Sequence, residues 1–202
     1  MRRLLSLTAA VLACLTLPAE AHRGDRDADL PEAGVFIEGI GVDERAGLFY
    51  VSATNRDGTI YRGRVGARDQ VLEVWQPPTV GDNGRGIDVD REGRVYVAGG
   101  PSAEVRVFDR RGRKLAELPT GAAGSFLNDV WVGPDGAAYV TDSSLPLIWR
   151  VSERHGQWRI ERWLDVSGTI TYTPSPTDFD LGGIVTTHHT LLTTQGLSLI
   201  HI

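Results

Sequence analysis

The sequence predicts an all-β chain, a β-propeller of four-stranded antiparallel blades, on three observations. The first is an internal repeat. LNDVWVGPDGAAYVTDS (Leu127 to Ser143) is written earlier as EGIGVDERAGLFYVSA (Glu38 to Ala53) and RGIDVDREGRVYVAGG (Arg85 to Gly100). It opens once more as GGIVTTHHTLLTTQ, from Gly182 to Gln195. The second is the period. Tyr50, Tyr96 and Tyr139 stand 46 and 43 residues apart, inside the roughly 40–50 residues of a propeller blade. The third is local pattern. Each copy has two short β-rich runs around a turn such as Gly133-Pro134-Asp135-Gly136, and none keeps helical spacing beyond one turn.

The chain begins with Arg2-Arg3, an apolar run from Leu4 to Leu17, and the small-x-small triplet Ala19-Glu20-Ala21. That order predicts a secretory signal peptide over residues 1–21, cut after Ala21, and a secreted or periplasmic protein. The apolar run is shorter than the roughly 20 residues of a membrane span. Val11-Leu12-Ala13-Cys14 also reads as a lipoprotein anchor, although Leu12 fits poorly there and the apolar run continues past Cys14. Cys14 is the only cysteine, so the processed chain is expected to hold no disulfide and no thiolate metal site. With 21 basic against 26 acidic residues and no Lys/Arg cluster, nothing attracts nucleic acid or an anionic membrane. Residues 22–34 are polar and charged and are expected to form a disordered leader.

The partial propeller is expected over residues 35–196. Blade one reads as strands Val35 to Asp43, Leu48 to Thr54, Thr59 to Val65 and Gln70 to Trp75. Blade two reads as Gly86 to Asp90, Arg94 to Ala98, Ala103 to Asp109 and Lys114 to Leu118. Blade three reads as Asn128 to Val132, Ala137 to Thr141, Leu147 to Ser152 and Trp158 to Val166. A long Thr- and Pro-rich connection, Ser167 to Asp180, leads to a fourth blade that opens at Gly182. The chain is thus expected to carry about three and a half blades and to be a truncated ring. Leu197 to Ile202, LSLIHI, is what the end of a transposon-type sequencing adaptor encodes in frame, so residues 197–202 read as a non-native tail.

In a propeller the innermost strands meet around one channel, so equivalent positions of successive repeats converge. The residue before the inner-strand core is Glu38, Arg85, Asn128 and Gly182 in turn. A carboxylate, a guanidinium and an amide at one channel mouth suit an oxygen-rich cation site or a polar substrate pocket. Asp129 and Asp142 lie close enough in sequence to support it, and Asp142 reads first as a residue tying its own turn.

Other signals read as structural. Asp88-Val-Asp90-Arg-Glu-Gly93 begins like a calcium loop but has Gly99 where a glutamate is needed, and it coincides with the repeated turn. His188-His189 falls at the turn far from the channel column. Gly81 to Gly86, GDNGRG, has the wrong spacing for a phosphate cradle. There is no Gly-x-Ser-x-Gly elbow.

GVFIEGIGVD, SFLNDVWVGPDGAAYVTDS and LGGIVTT resemble the senescence-marker-protein/gluconolactonase family, close to the strictosidine-synthase-like propellers. The resemblance runs from Val35 to about Gln195. It implies a six-bladed propeller with a divalent cation in the channel: Ca²⁺ first, with Zn²⁺, Mg²⁺ or Mn²⁺ as alternatives. It also implies lactone hydrolysis on a small-molecule substrate. Glu38 then becomes a metal ligand, Asn128 a metal or substrate contact, and Arg85 and Asp129 substrate contacts. Gly182 falls in the column where the family has a further ligating asparagine, and the family's basic aspartate lies beyond the present sequence. The catalytic residue is therefore unassigned. A non-catalytic propeller that binds a ligand or protein partner is the alternative reading.

Overall fold

Several hairpins of this protein turn on an aspartate that closes the turn with its own side chain. Asp90 Oδ1 accepts from the N–H groups of Glu92 at 3.0 Å and Arg94 at 2.8 Å. Asp135 Oδ1 accepts from Ala137 N–H at 3.2 Å. Gly93 and Gly136 then take φ of 78° and 79°, a left-handed conformation that a side chain resists. Between such turns the apolar alternation pairs off into antiparallel ladders.

The computed structural model describes residues 27–170, 172, 180–187, 190–195 and 198–201. The signal peptide, its cleavage site after Ala21 and the His188-His189 pair lie outside the described residues. Blade one consists of β2 (Ile37–Asp43), β3 (Leu48–Ala53), β4 (Ile60–Arg64) and β6 (Glu73–Gln76), while the short strands β1 (Ala28–Asp29) and β5 (Gln70–Val71) pair with each other beside it. Blade two holds β7 (Ile87–Val89), β8 (Val95–Ala98), β9 (Glu104–Phe108) and β10 (Lys114–Pro119). Blade three holds β11 (Leu127–Val132), β12 (Ala138–Asp142), β13 (Leu147–Arg154) and β14 (Gln157–Asp165). The fourth sheet holds β15 (Leu181–Thr187), β16 (Thr190–Gln195) and β17 (Ser198–His201). Sheet orders β2-β3-β4-β6, β7-β8-β9-β10, β11-β12-β13-β14 and β15-β16-β17 follow the chain, as up-and-down blades require.

The strand bounds read from the sequence agree with these to within a few residues. Two further segments form strands outside the blades read from the sequence. Within residues 22–34, Ala28–Asp29 pairs in parallel with β5, and Leu30 packs, with Val35 at the start of blade one, on Val51, Ala53, Tyr61 and Leu72. The Glu32 carboxylate also accepts from Tyr61 Oη. Ser198–His201, in the tail read as foreign, pairs antiparallel with β16.

The blades stack face to face and bury one apolar core per joint. Tyr50, Ile60, Ile87, Val95, Val97 and Phe108 fill the first joint. Tyr96, Leu127, Val130, Val140, Trp149 and their neighbours fill the second. Ile148, Val166, Leu181, Ile184 and Leu191 fill the third, with Trp131 and Tyr139 at its edge. The repeated tyrosines meet tryptophans edge-on: Tyr50 with Trp75 at 4.7 Å and Tyr139 with Trp163 at 4.7 Å between centroids.

The inner strands lie against one another so closely that two positions exclude a side chain. A Cβ on Gly39 would stand 2.4 Å from Arg85 O, and one on Gly86 would stand 2.4 Å from Asp129 Cα. Polar side chains stitch this contact. Thr141 Oγ1 takes the Asp129 N–H at 3.1 Å and donates to Gly182 O at 2.7 Å in the next blade. Ser52 Oγ likewise takes the Gly39 N–H and donates to Arg85 O. Thr141→Val keeps the shape and removes both bonds, so it should cost about 2 kcal/mol, since two buried backbone groups lose a partner. The check is the urea midpoint at constant m; an unmoved midpoint would remove the stitch from the account of stability.

Candidate functional site

The column of Glu38, Arg85, Asn128 and Gly182 sits on a repeated defect in the inner strands. β2 and β3 pair at Ile37 with Ala53 and next at Ile40 with Val51, leaving Glu38 and Gly39 opposite Ser52 alone. β11 and β12 repeat this with Asn128 and Asp129 opposite Thr141. In β15 and β16, Gly182 and Gly183 face Thr194. Each is a β-bulge, two residues against one, which frees a strand from its ladder and re-aims a side chain. Blade two has no hydroxyl at the matching Ala98, and Arg85 and Gly86 stand just before β7. The structure therefore brings Glu38, Arg85 and Asn128 to one end of the inner strands, with Gly182 contributing backbone only.

Asn128 is fixed by its neighbours. Its Nδ2 donates to Ser143 Oγ at 2.7 Å, and that hydroxyl donates onward to Leu181 O. Because Ser143 has given its proton away, it can only accept from Asn128, so the amide carbonyl Oδ1 is the atom left facing outward. Arg85 rests its guanidinium 5.1 Å from the Phe126 ring centroid. Its Nε and the Oδ1 of nearby Asn83 are both buried without a hydrogen-bond partner among the described residues. Asn83 Nδ2 donates to Thr54 O at 3.0 Å, and buried Arg106 ties Asp82 and the Asn83 carbonyl. The loop that delivers Arg85 is thus clamped from below.

Glu38 keeps an exposed side chain, yet the protein crowded on its other side raises its carboxyl pKa. Burial is the first cause, the Arg85 charge opposes it, and the Asp129 charge adds to it. Asp129 does not face the mouth freely. Its Oδ2 accepts from Ile184 N–H at 3.0 Å in the next blade and its Oδ1 from Val130 N–H at 2.9 Å. Burial outweighs those bonds and raises its pKa. Asp142 is fully buried. It accepts from the N–H groups of Phe126, Ser144 and Leu145, from Ser125 Oγ and from Trp149 Nε1, so it ties its turn and the start of blade three.

Three residues at or near the mouth escaped the sequence reading. Asn83 lies in GDNGRG, a stretch set aside for its wrong phosphate spacing. Phe126 and Arg106 gave no local signal, because each acts through a partner in a neighbouring loop. Asp88, weighed only as part of a calcium loop, instead accepts from Val132 N–H at 2.7 Å in the next blade. Among the described residues no group of three His, Cys, Asp or Glu side chains is placed to hold a metal. No described helix is long and apolar enough to cross a membrane.

No protein-family model and no curated protein matches the chain. Solved structures do. A virginiamycin B lyase from Staphylococcus aureus matches at a TM-score of 0.65 and 14% identity, covering 87% of this chain and 54% of its own. YCF48 bound to D1 peptide matches at 0.62 and 10%, covering 85% and 51%. A gluconolactonase from Xanthomonas campestris overlaps at 0.44 and 24%, covering 56% and 36%. The chain spans about half the length of the first two. The likeness is one of fold, a β-propeller. A lyase and a peptide-bound protein share it, so the fold does not choose between catalysis and binding.

The carboxyls at the mouth have a testable order. Followed by carbon-detected NMR, Glu38, Asp88 and Asp129 should titrate above the usual carboxylate range. Arg85→Leu should raise the Glu38 midpoint further and Asp129→Asn should lower it; the reverse order would contradict the geometry. Raised folded-state values mean that these three favour the fold below their ordinary range, and that this contribution is lost as pH rises through the raised midpoints. Asp43 and Asp135 act oppositely. Burial pushes each up, but hydrogen bonds outweigh it and hold both below the ordinary value: Arg110 and Ala46 on Asp43, and Ala137, Tyr139 and Arg150 on Asp135. Their contribution is lost as pH falls through those depressed midpoints.

Proposed function

We propose that the mouth formed by Glu38, Arg85 and Asn128 binds a small, oxygen-rich molecule, and that the propeller acts as a metal-assisted hydrolase of lactone-like esters. The observation that supports this is that Glu38 and Asn128 stand on equivalent bulges of inner strands, with Arg85 at the matching place just before β7. The bulges themselves serve the joints between blades, but that role needs no polar side chain at the outward position, as Gly182 shows in the fourth sheet. Arg85 is suited to hold the carbonyl or ring oxygen of an ester through its guanidinium donors. Asn128 Oδ1, aimed by Ser143, accepts from a substrate hydroxyl or meets a cation. Glu38, with its raised pKa, sits beside Arg85 as an acceptor that takes up a proton more readily than an exposed glutamate.

Glu38 and Asn128 offer oxygen atoms of the kind a hard cation takes, but two donors are fewer than the roughly six to eight that Ca²⁺ collects. The fit is one of kind and not of number, so no step is routed through a metal. When bound, such an ion supplies polarisation of the ester carbonyl. A second reading, a propeller that binds a ligand or partner without turnover, is favoured by Gly182, which brings no side chain to its place in the column.

The two readings part in a lactone-opening assay with Ca²⁺, Zn²⁺, Mg²⁺ or Mn²⁺ added in turn. The hydrolase reading expects ion-dependent turnover that Glu38→Gln lowers at least about hundredfold, as for loss of a charged ligand. Turnover with none of the four ions would leave binding as the function. The signal-peptide reading belongs to the same proposal: the exported protein should begin at His22, read by intact mass. A product that retains Met1 would remove the secreted or periplasmic assignment.

A further inference from the structure

The repeated tyrosine meets a carboxylate of its own turn in blades two and three, and meets none in blade one. In blade three Tyr139 stands opposite Arg150 in the β12–β13 ladder. Asp135 Oδ2 serves both, accepting from Tyr139 Oη at 3.0 Å and from Arg150 Nη2 at 3.2 Å, while Arg150 also holds Glu161. In blade two Tyr96 Oη donates to its turn aspartate, Asp90 Oδ2, at 3.2 Å. Blade one repeats the frame: Tyr50 stands opposite Arg62, and Arg62 holds Glu73 at 2.6 Å. Its turn aspartate is engaged elsewhere. Asp43 Oδ2 accepts from Arg110 Nε of blade two at 2.6 Å, and Oδ1 from Ala46 N–H at 3.0 Å. Tyr50, 0% exposed, is left with its Oη unpartnered among the described residues. Trp75 Nε1 is also buried and unpartnered, and its ring stands edge-on to Tyr50.

We infer that a small oxyanion of the carboxylate type binds among Tyr50, Trp75 and Arg62, at the place where blade three keeps the carboxylate of Asp135. The unpartnered groups call for an acceptor: an indole N–H and a guanidinium only donate, and a phenol has a proton to give. A water would accept there but must aim two protons of its own at groups that already donate, which an oxyanion need not do. Burial raises the Tyr50 pKa while the Arg62 and Arg110 charges oppose it, so both charges reach the hydroxyl. Those two arginines are balanced by Glu73 and Asp43. The excess comes from Arg45, Arg64 and Arg91, which form no ion pair among the described residues. They line two clefts of about 340 and 410 Å³ that adjoin at Ala46 and Arg110. Glu92, an acid of the first cleft, is paired with Arg94 at 3.4 Å. Charge-assisted bonds from such donors suit a carboxylate. The site lies at the turn end of β2, the end opposite Glu38, and its walls belong to blades one and two alone.

Titration of the full chain with sodium acetate at constant ionic strength, read on the Trp75 indole N–H by two-dimensional NMR, tests this. The cross-peak, identified by its loss in Trp75→Phe, should move and saturate at a roughly millimolar midpoint, the range open to a ligand of few atoms. By linkage, acetate should also raise the urea midpoint. Tyr50→Phe removes only the unpartnered hydroxyl, so the urea midpoint without acetate should hold, while acetate affinity should fall about tenfold, as for one lost hydrogen bond. Arg62→Met should weaken acetate at least as much. Tyr139→Phe, whose hydroxyl already has its carboxylate, should leave the acetate response as it is. An indole signal that acetate does not move overturns the inference and leaves the place to water. An equal response to chloride overturns it too, since the site then takes any anion. So does an acetate response unchanged in Tyr50→Phe.

Discussion

The fold depends on how closely neighbouring inner strands approach. A β-strand has two edges, and in each blade only one edge of the inner strand is paired, with its own second strand. The other edge meets the next blade at backbone distance, too close for a side chain at Gly39 or Gly86. Buried N–H and C=O groups at that contact need partners, or each costs the desolvation penalty of an unmade bond. The chain answers with a bulge. Two inner-strand residues face one hydroxyl residue, Ser52 or Thr141, which takes the stranded N–H and passes its own proton to the next blade's carbonyl. Asp88 and Asp129 complete the stitch by accepting N–H groups of the following inner strand. The bulge that satisfies the backbone is also what turns Glu38 and Asn128 out of their ladders. The candidate site is a by-product of the joint.

This origin separates the acids by task. Asp142 and Asp129 both look like channel residues in the sequence, and both are held by backbone donors. Asp142 collects five donors inside one blade, while Asp129 divides its two oxygens between its own strand and the next. Glu38 alone of the three has no hydrogen bond or ion pair fixing its carboxylate among the described residues. Its electrostatics are correspondingly open to whatever arrives: Arg85 pulls its pKa down, Asp129 and burial push it up.

The blades were legible because their signals are local. Alternation of apolar residues, aspartate-led turns and the tyrosine period each sit within a few residues, and the strands they imply are where the sequence places them. The column Glu38, Arg85, Asn128 and Gly182 was legible too, since a repeat aligns equivalent positions without knowledge of their contacts. What escaped was everything whose partner lies in another repeat. The Ser52 and Thr141 hydroxyls stand two residues after a repeated tyrosine, a visible regularity, but their acceptors are about 33 and 41 residues away. Asp88, rightly set aside as a calcium ligand, gives no local sign that it accepts the Val132 N–H of the next blade. The polar composition of residues 22–34 concealed Leu30, which packs against blade one.

The joint and the site also constrain each other. Glu38 lies on β2, two residues from Ile40. Its side chain is exposed as Ile40 is, with no blade among the described residues packed on that side. Whatever covers that face takes water away from Glu38 as well, and loss of water disfavours the charged form, so covering the face raises a pKa that already stands high. Under the proposed function, a covered face would also leave the Arg85 charge less screened at Glu38, so that the guanidinium counts for more there.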